Sequence, residues 1–155
     1  MKNLSVAFLM IVALGTACWA ESAPAIPATP APPAEGGPAY HALVKEAKAH
    51  VKEFNIEQFK AFRDKQQNYT LIDVRESEEW AGGHAAGALH ISKGTIEKKI
   101  EAQAPKKDAV IVLYCHSGAR SALAAENLMR MGYSNVYSLD GGITAYQAAG
   151  LPMEK

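Results

Sequence analysis

Val110-Ile111-Val112-Leu113-Tyr114-Cys115-His116-Ser117-Gly118-Ala119-Arg120-Ser121-Ala122-Leu123-Ala124-Ala125-Glu126-Asn127-Leu128-Met129 is the stretch that decides the fold. Its first five residues form an apolar run of the kind found in a strand buried on both faces. Cys115-His116-Ser117-Gly118-Ala119-Arg120 breaks that run with small and polar residues around a glycine, a turn signal. From Ser121 to Met131 apolar residues return at helical spacing, and Gly132 is placed to cap the helix. The segment reads strand, tight loop, helix, with a thiol at the strand's end. At such a turn backbone N–H groups converge, and the helix N-terminus adds partial positive charge. Both favour thiolate, the nucleophilic form of cysteine. Cys115 is therefore the leading candidate for a reactive residue.

The same alternation extends outward. Residues 43, 44, 47 and 51 give a helical spacing over His41–Val51, and Ile56, Phe59 and Phe62 repeat it. Tyr69–Val74 is a short apolar strand. Ser77 is placed to N-cap a brief helix through Trp80. Gly82–Gly87 is rich in turn residues, Ala88–Ile91 suits a strand, and Thr95–Gln103 is an amphipathic helix ending before Pro105. After Gly132 come a strand at Asn135–Leu139, a turn at Gly141-Gly142 and a last helix over about 143–149. Strands alternating with helices imply an α/β fold, a parallel sheet covered on both faces. Ligands in such folds bind beyond the C-terminal ends of the strands. Cys115, Asp73-Val74-Arg75 and Asp140-Gly141-Gly142 all follow strand ends, so the topology can bring them to one rim.

Ahead of this region the chain changes character. Met1-Lys2-Asn3 and the apolar run Leu4–Leu14, followed by small residues to Ala20, have the order of a secretory signal peptide over residues 1–20. Cleavage after Ala17, lipid attachment at Cys18, and an uncleaved membrane anchor, for which the apolar run is short, are the alternatives. Residues 21–39 are Ala/Pro-rich and hold six of the eight prolines, the composition of an extended linker. The folded domain is expected over 40–155, about 115 residues, enough for one core. The expected address is periplasmic or secreted, with a lipid-anchored form at Cys18 as the alternative and no membrane span in the mature chain.

Sixteen basic residues balance sixteen acidic ones. With no basic stripe or charge block, nucleic acid is an unfavoured partner. No tandem Cys/His spacing suggests a metal site, and no cofactor is expected. Cleavage after Ala20 leaves one cysteine, so the domain has no internal disulfide. A single thiol in an oxidising compartment is inert, paired between chains or reactive. Its place at a strand end favours the last.

Four motifs in order carry a resemblance: Leu71-Ile72-Asp73-Val74-Arg75-Glu76; Gly83-His84-Ala85-Ala86-Gly87-Ala88; Cys115-His116-Ser117-Gly118-Ala119-Arg120-Ser121; and Gly132-Tyr133 through Asn135–Leu139 to Gly141-Gly142-Ile143. Together they resemble a rhodanese domain over about Ile56–Leu151. The resemblance implies a three-layer α/β/α fold with a mostly parallel central sheet, and a sulfurtransferase. Cys115 would carry a persulfide. His116, Ser117, Gly118, Ala119 and Arg120 would bind the substrate, Arg120 by pairing with an oxyanion or, alternatively, by bonding to loop carbonyls. Asp73 and Arg75 would support the rim by pairing with loop N–H groups and Glu79, and His84 would bond to backbone in its turn. The implied partners are a small-molecule sulfur donor such as thiosulfate and an acceptor such as cyanide or a thiol, with a protein thiol as a further acceptor. Ser117 stands where thiosulfate enzymes of the family often carry a basic residue and is closer to the mercaptopyruvate branch. Glu79, Ala86 and Tyr146 also depart from the common pattern.

Three rival functions fit the sequence less well. A phosphatase or arsenate reductase of the Cys-x5-Arg type needs five residues between Cys and Arg, and this chain has four. A non-catalytic binding module does not require the cysteine that this chain keeps. A self-contained thiol redox protein needs a resolving cysteine, which the domain lacks.

Overall fold

The computed structural model describes residues 36–65 and 68–155. The expected signal peptide and nearly all of the expected linker lie outside the described residues. The elements run α1 (Pro38–His50), β1 (Lys52–Phe54), α2 (Ile56–Lys65), β2 (Thr70–Asp73), α3 (Ser77–Ala81), β3 (His84–Ala85), β4 (Leu89–His90), a 3-10 turn (Lys93–Thr95), α4 (Ile96–Gln103), β5 (Val110–Tyr114), α5 (Ala119–Arg130), β6 (Asn135–Leu139), α6 (Gly142–Ala148) and β7 (Met153–Glu154).

Five strands form one sheet in the order β1-β6-β5-β2-β4, with every pairing parallel. The most apolar strand, β5, takes the centre, with Leu71 opposite Val112 on one side and Leu113 opposite Ser138 on the other. Period-two alternation sorts its side chains between two cores. Ile111, Leu113 and Cys115 face α4 and α5, where Ile96, Ile100, Ala122, Ala125 and Leu128 pack. Val112 and Tyr114 face α2 and α6, against Phe59, Ile143 and Tyr146. The layers are therefore helices, sheet, helices, as the sequence implies. That alternation also turns Cys115 toward the helix that follows it.

Several local expectations shift. Helix α1 begins at Pro38, two residues ahead of the expected domain start. It ends at His50 because Val51 is extended (ψ 153°) and leads into β1, a strand the sequence pattern did not suggest. The N-cap of α3 is Glu76 rather than Ser77. The N–H of Glu76 donates to Glu79 Oε2 at 3.1 Å, one arm of a capping box. Helix α5 starts at Ala119, not Ser121, so the loop after Cys115 is only His116-Ser117-Gly118 and Arg120 belongs to the first helical turn. The small sheet of β3 and β7, antiparallel, was also unforeseen.

Candidate active site

Cys115 sits at the end of β5 with 1% of its surface exposed. The Gly118 N–H donates to Sγ at 3.2 Å, and the Ser121 hydroxyl points at it from 3.7 Å. Gly118 is the N-cap of α5 in a left-handed conformation (φ 99°), which lets the chain fold back so that its N–H reaches the sulfur. Ser121 Oγ lies 3.1 Å from Gly118 O and 2.9 Å from Ser138 Oγ as well, so its single proton serves one of these acceptors or the sulfur at a time. Both serines are fully buried. The sulfur is thus held by one backbone donor, one hydroxyl and the N-terminal end of a twelve-residue helix, all favourable to negative charge there.

The loop is braced from behind by α6. Ile143 N–H donates to Cys115 O at 2.8 Å, and Thr144 Oγ1 donates to His116 O at 3.1 Å. This contact requires glycine at 142. A methyl group there would overlap the Cys115 carbonyl oxygen and stand 2.6 Å from that of His116.

In front of the sulfur lies a cleft of about 680 Å³. The Cys115 loop and the start of α5 form its floor, Glu79 one side, and Gly36, Tyr40 and His41 another. His116 and Ser117 are exposed at its surface. Arg120 lines the cleft but is already engaged: Nη1 donates to Glu79 Oε2 at 2.6 Å and Nη2 to Oε1 at 2.8 Å. That bidentate pair replaces both expected partners of Arg120, an oxyanion or loop carbonyls. It holds the Glu79 carboxyl at about 2, well below 4.5, and raises the Arg120 guanidinium in turn. For Glu79 the hydrogen bond from Arg120 outweighs burial, which acts in the opposite direction.

Asp73 and Arg75 do not line the cleft. They pair with each other, Asp73 accepting the loop N–H of Arg75 as expected, while Glu79 pairs with Arg120 instead. Arg75 donates to Asp73 from its backbone N (2.9 Å), Nε (2.9–3.0 Å) and Nη2 (2.6 Å), and Nη2 also reaches Gly83 O at 2.8 Å. The pair is buried and ties the end of β2 to the turn before β3, one layer behind the site. His84 bonds to backbone, as expected: its Nδ1 is 3.3 Å from Trp80 O, and its ring stacks on that of Trp80.

Sequence reasoning missed Tyr40, His41, Ser121 and Ser138. A signal existed for Ser138, a polar residue at an inward position of an apolar strand. Nothing local marked Tyr40 or His41, which precede every motif.

The family model for the rhodanese-like domain matches residues 55–149. The chain belongs to the rhodanese-like family. Among rhodanese-like relatives, the thiosulfate sulfurtransferase GlpE of Actinobacillus succinogenes is 36% identical over 91 residues, covering 57% of this chain and 78% of that protein. YrkF of Bacillus subtilis, named as a sulfur carrier protein, is 33% identical over 98 residues, 63% of this chain and 52% of its own. The match therefore spans about half the length of that relative. Among solved structures, a Rhodopseudomonas palustris protein described as of unknown function, "Possible Tyrosine Phosphatase", superposes with a TM-score of 0.66 at 28% identity, over 81% of this chain and 99% of that one. Among the described residues no helix is long and apolar enough to cross a membrane.

Proposed function

We propose that the chain transfers sulfane sulfur through a persulfide on Cys115. The observation that carries this reading is the setting of Sγ: a buried sulfur at the floor of a cleft, facing the Gly118 N–H and the Ser121 hydroxyl. With thiosulfate as donor, the Cys115 thiolate attacks the outer sulfur. A new S–S bond forms, the old one breaks, and its electron pair leaves with sulfite. The persulfide's terminal sulfur then carries the negative charge, beside the loop's donors. Cyanide or a thiolate attacks that sulfur, the Cys115–sulfur bond breaks, and the pair returns to Cys115 as thiocyanate or an alkyl persulfide departs. His116, Ser117 and Ala119 line the substrate's approach, Gly118 supplies its N–H, and Arg120 with Glu79 forms a wall. Asp73 and Arg75 support the framework. Residues 1–20 direct export, so the reaction runs outside the cytoplasm.

The phosphatase reading suits this geometry less well. Four residues separate Cys115 from Arg120, and Arg120 is bound to Glu79 rather than turned to receive phosphate. Mass spectrometry of purified native protein, before and after incubation with thiosulfate or mercaptopyruvate, tests the whole proposal. The expected result is an N-terminus near Glu21 and a gain of one sulfur, removed by cyanide and absent in Cys115→Ser. Sulfur turnover that survives in Cys115→Ser, or hydrolysis of p-nitrophenyl phosphate by a protein that takes up no sulfur, would refute it.

A further inference from the structure

The cleft over Cys115 is completed by a helix that lies outside the matched segment. Gly36, Tyr40 and His41 line it, whereas the family match begins at residue 55. Helix α1 is held firmly enough to act as a wall. Val44 and Ala47 pack on Leu123 of α5, with Tyr40 and Ala119 against them. Lys48 bridges Asp140 at 2.7 Å and Glu53 at 3.1 Å, and His50 Nδ1 lies 3.1 Å from Glu126 Oε1. The chain at Gly36 presses on the Tyr40 ring so closely that a methyl there would come 2.5 Å from its Cδ1. The His41 ring meets the Tyr40 ring edge-on, 5.9 Å between centroids.

Charge decides what Tyr40 is for. Among the described residues only Glu79 and Arg120 carry fixed charge in the cleft lining, and they neutralise each other. An anionic sulfur compound entering this cleft finds no guanidinium free of a carboxylate. It must be oriented by neutral donors, and among the described residues the Tyr40 hydroxyl has no hydrogen-bond partner.

We propose that Tyr40 is a specificity-determining residue, its hydroxyl donating to the anionic end of a small sulfur donor and aiming the sulfane sulfur at Cys115. The assignment rests on the sulfur-transfer reading. Burial pushes the Tyr40 hydroxyl up from its ordinary value, the neighbouring Cys115 adds to the rise and Arg120 opposes it, so the group remains a donor at neutral pH. The aromatic ring, edged by His41, sets the width of the entrance.

The test separates the two half-reactions in the full chain. Single-turnover loading is followed by mass with thiosulfate and with mercaptopyruvate, and discharge of the preloaded persulfide is followed with cyanide. Tyr40→Phe keeps the ring and its packing. It should load from the wild type's faster donor roughly 10-fold or more slowly at subsaturating concentration, as expected for loss of a hydrogen bond to a charged group. Discharge to cyanide should stay within about twofold and melting should be unchanged, since the missing interaction belongs to donor binding alone. Equal loading by Tyr40→Phe and wild type would overturn the assignment. So would a parallel fall in loading, discharge and melting temperature, the mark of a packing residue. A wild type that gains no sulfur from either donor would overturn the sulfur-transfer reading first, and the role of Tyr40 with it.

Discussion

Gly142→Ala should cost far more stability than Gly150→Ala, although both glycines hold a left-handed backbone, with φ of 53° and 67°. At Gly150 nothing lies within 4 Å of the position a methyl would take. Its replacement carries the conformational penalty alone, about 1–2 kcal/mol. At Gly142 the methyl runs into the carbonyls of Cys115 and His116. Neither can move freely, because one accepts from Ile143 N–H at 2.8 Å and the other from Thr144 Oγ1 at 3.1 Å. Relieving the overlap means separating α6 from the loop after β5. Overpacking of this kind costs about 1–3 kcal/mol, and each hydrogen bond weakened costs up to about 1 kcal/mol. With the conformational penalty included, Gly142→Ala should lose about 3–6 kcal/mol, a large share of the roughly 5–15 kcal/mol that holds a domain together. Urea unfolding measures both variants: the midpoint should fall modestly for Gly150→Ala and steeply for Gly142→Ala, with little change in slope. The same shift displaces Sγ from its donors, so sulfur loading should also fall in Gly142→Ala and not in Gly150→Ala. If the two variants agree within about 0.5 kcal/mol, the usual limit for telling independent sites apart, then the close approach of α6 to the Cys115 loop is not what positions the sulfur.

Two further perturbations probe the ion pairs. The Glu79 carboxyl is held at about 2, below its usual 4.5, so its contribution is fully present above about pH 5 and fades as pH falls toward 2. Both side chains are a quarter to a third exposed and screened by water, which limits the effect to about 1 kcal/mol. Glu79→Gln should therefore melt below the wild type at pH 7 and converge with it near pH 2.5; a gap that widens in acid would exclude the pair as its source. Asp73→Asn leaves the buried Arg75 guanidinium without its carboxylate and should cost about 3–5 kcal/mol by urea denaturation; a loss under 1 kcal/mol would mean that Gly83 O and nearby water suffice for Arg75.

The centre of the fold was legible because its signals were local and redundant. Val110–Tyr114 could only be a buried strand, and the apolar spacing after Gly118 could only be a helix packed on it. Residues Asn135–Leu139 were readable for the same reason. Strand β1 was not, because Lys52-Glu53-Phe54 is a short edge strand with two charged residues, and its identity comes from pairing with β6. The start of α5 was misplaced because Ala119 and Arg120 look like loop residues by type. The left-handed Gly118 ends the loop earlier. The partners of Arg120 and Arg75 escape the sequence for a different reason. Glu79 lies 41 positions from Arg120, and no local pattern announces such a pair. Asp73 and Arg75 are two apart, a spacing that shares a face within a strand, but β2 ends at Asp73 and Arg75 lies in the loop beyond it, where that alternation no longer fixes direction.

The site itself divides along the same line. Residues that govern the sulfur, Cys115, Gly118 and Ser121, fall within seven positions and within one motif, so a short stretch of sequence announces them. Residues that govern what reaches the sulfur come from three distant segments: Tyr40 and His41 on α1, Glu79 on α3 and Arg120 on α5. The GlpE and YrkF relatives align over 57% and 63% of this chain, and the family match starts after α1 has ended. Similarity in the matched segment therefore speaks for the nucleophile and its donors. If Tyr40 selects the donor as proposed, donor choice depends on a helix that the matched segment does not contain and on an arginine that Glu79 already neutralises. Substitutions on α1 would then change the donor and leave the Cys115 motif intact, because Tyr40 and His41 precede the matched segment, whereas Glu79 and Arg120 lie inside it.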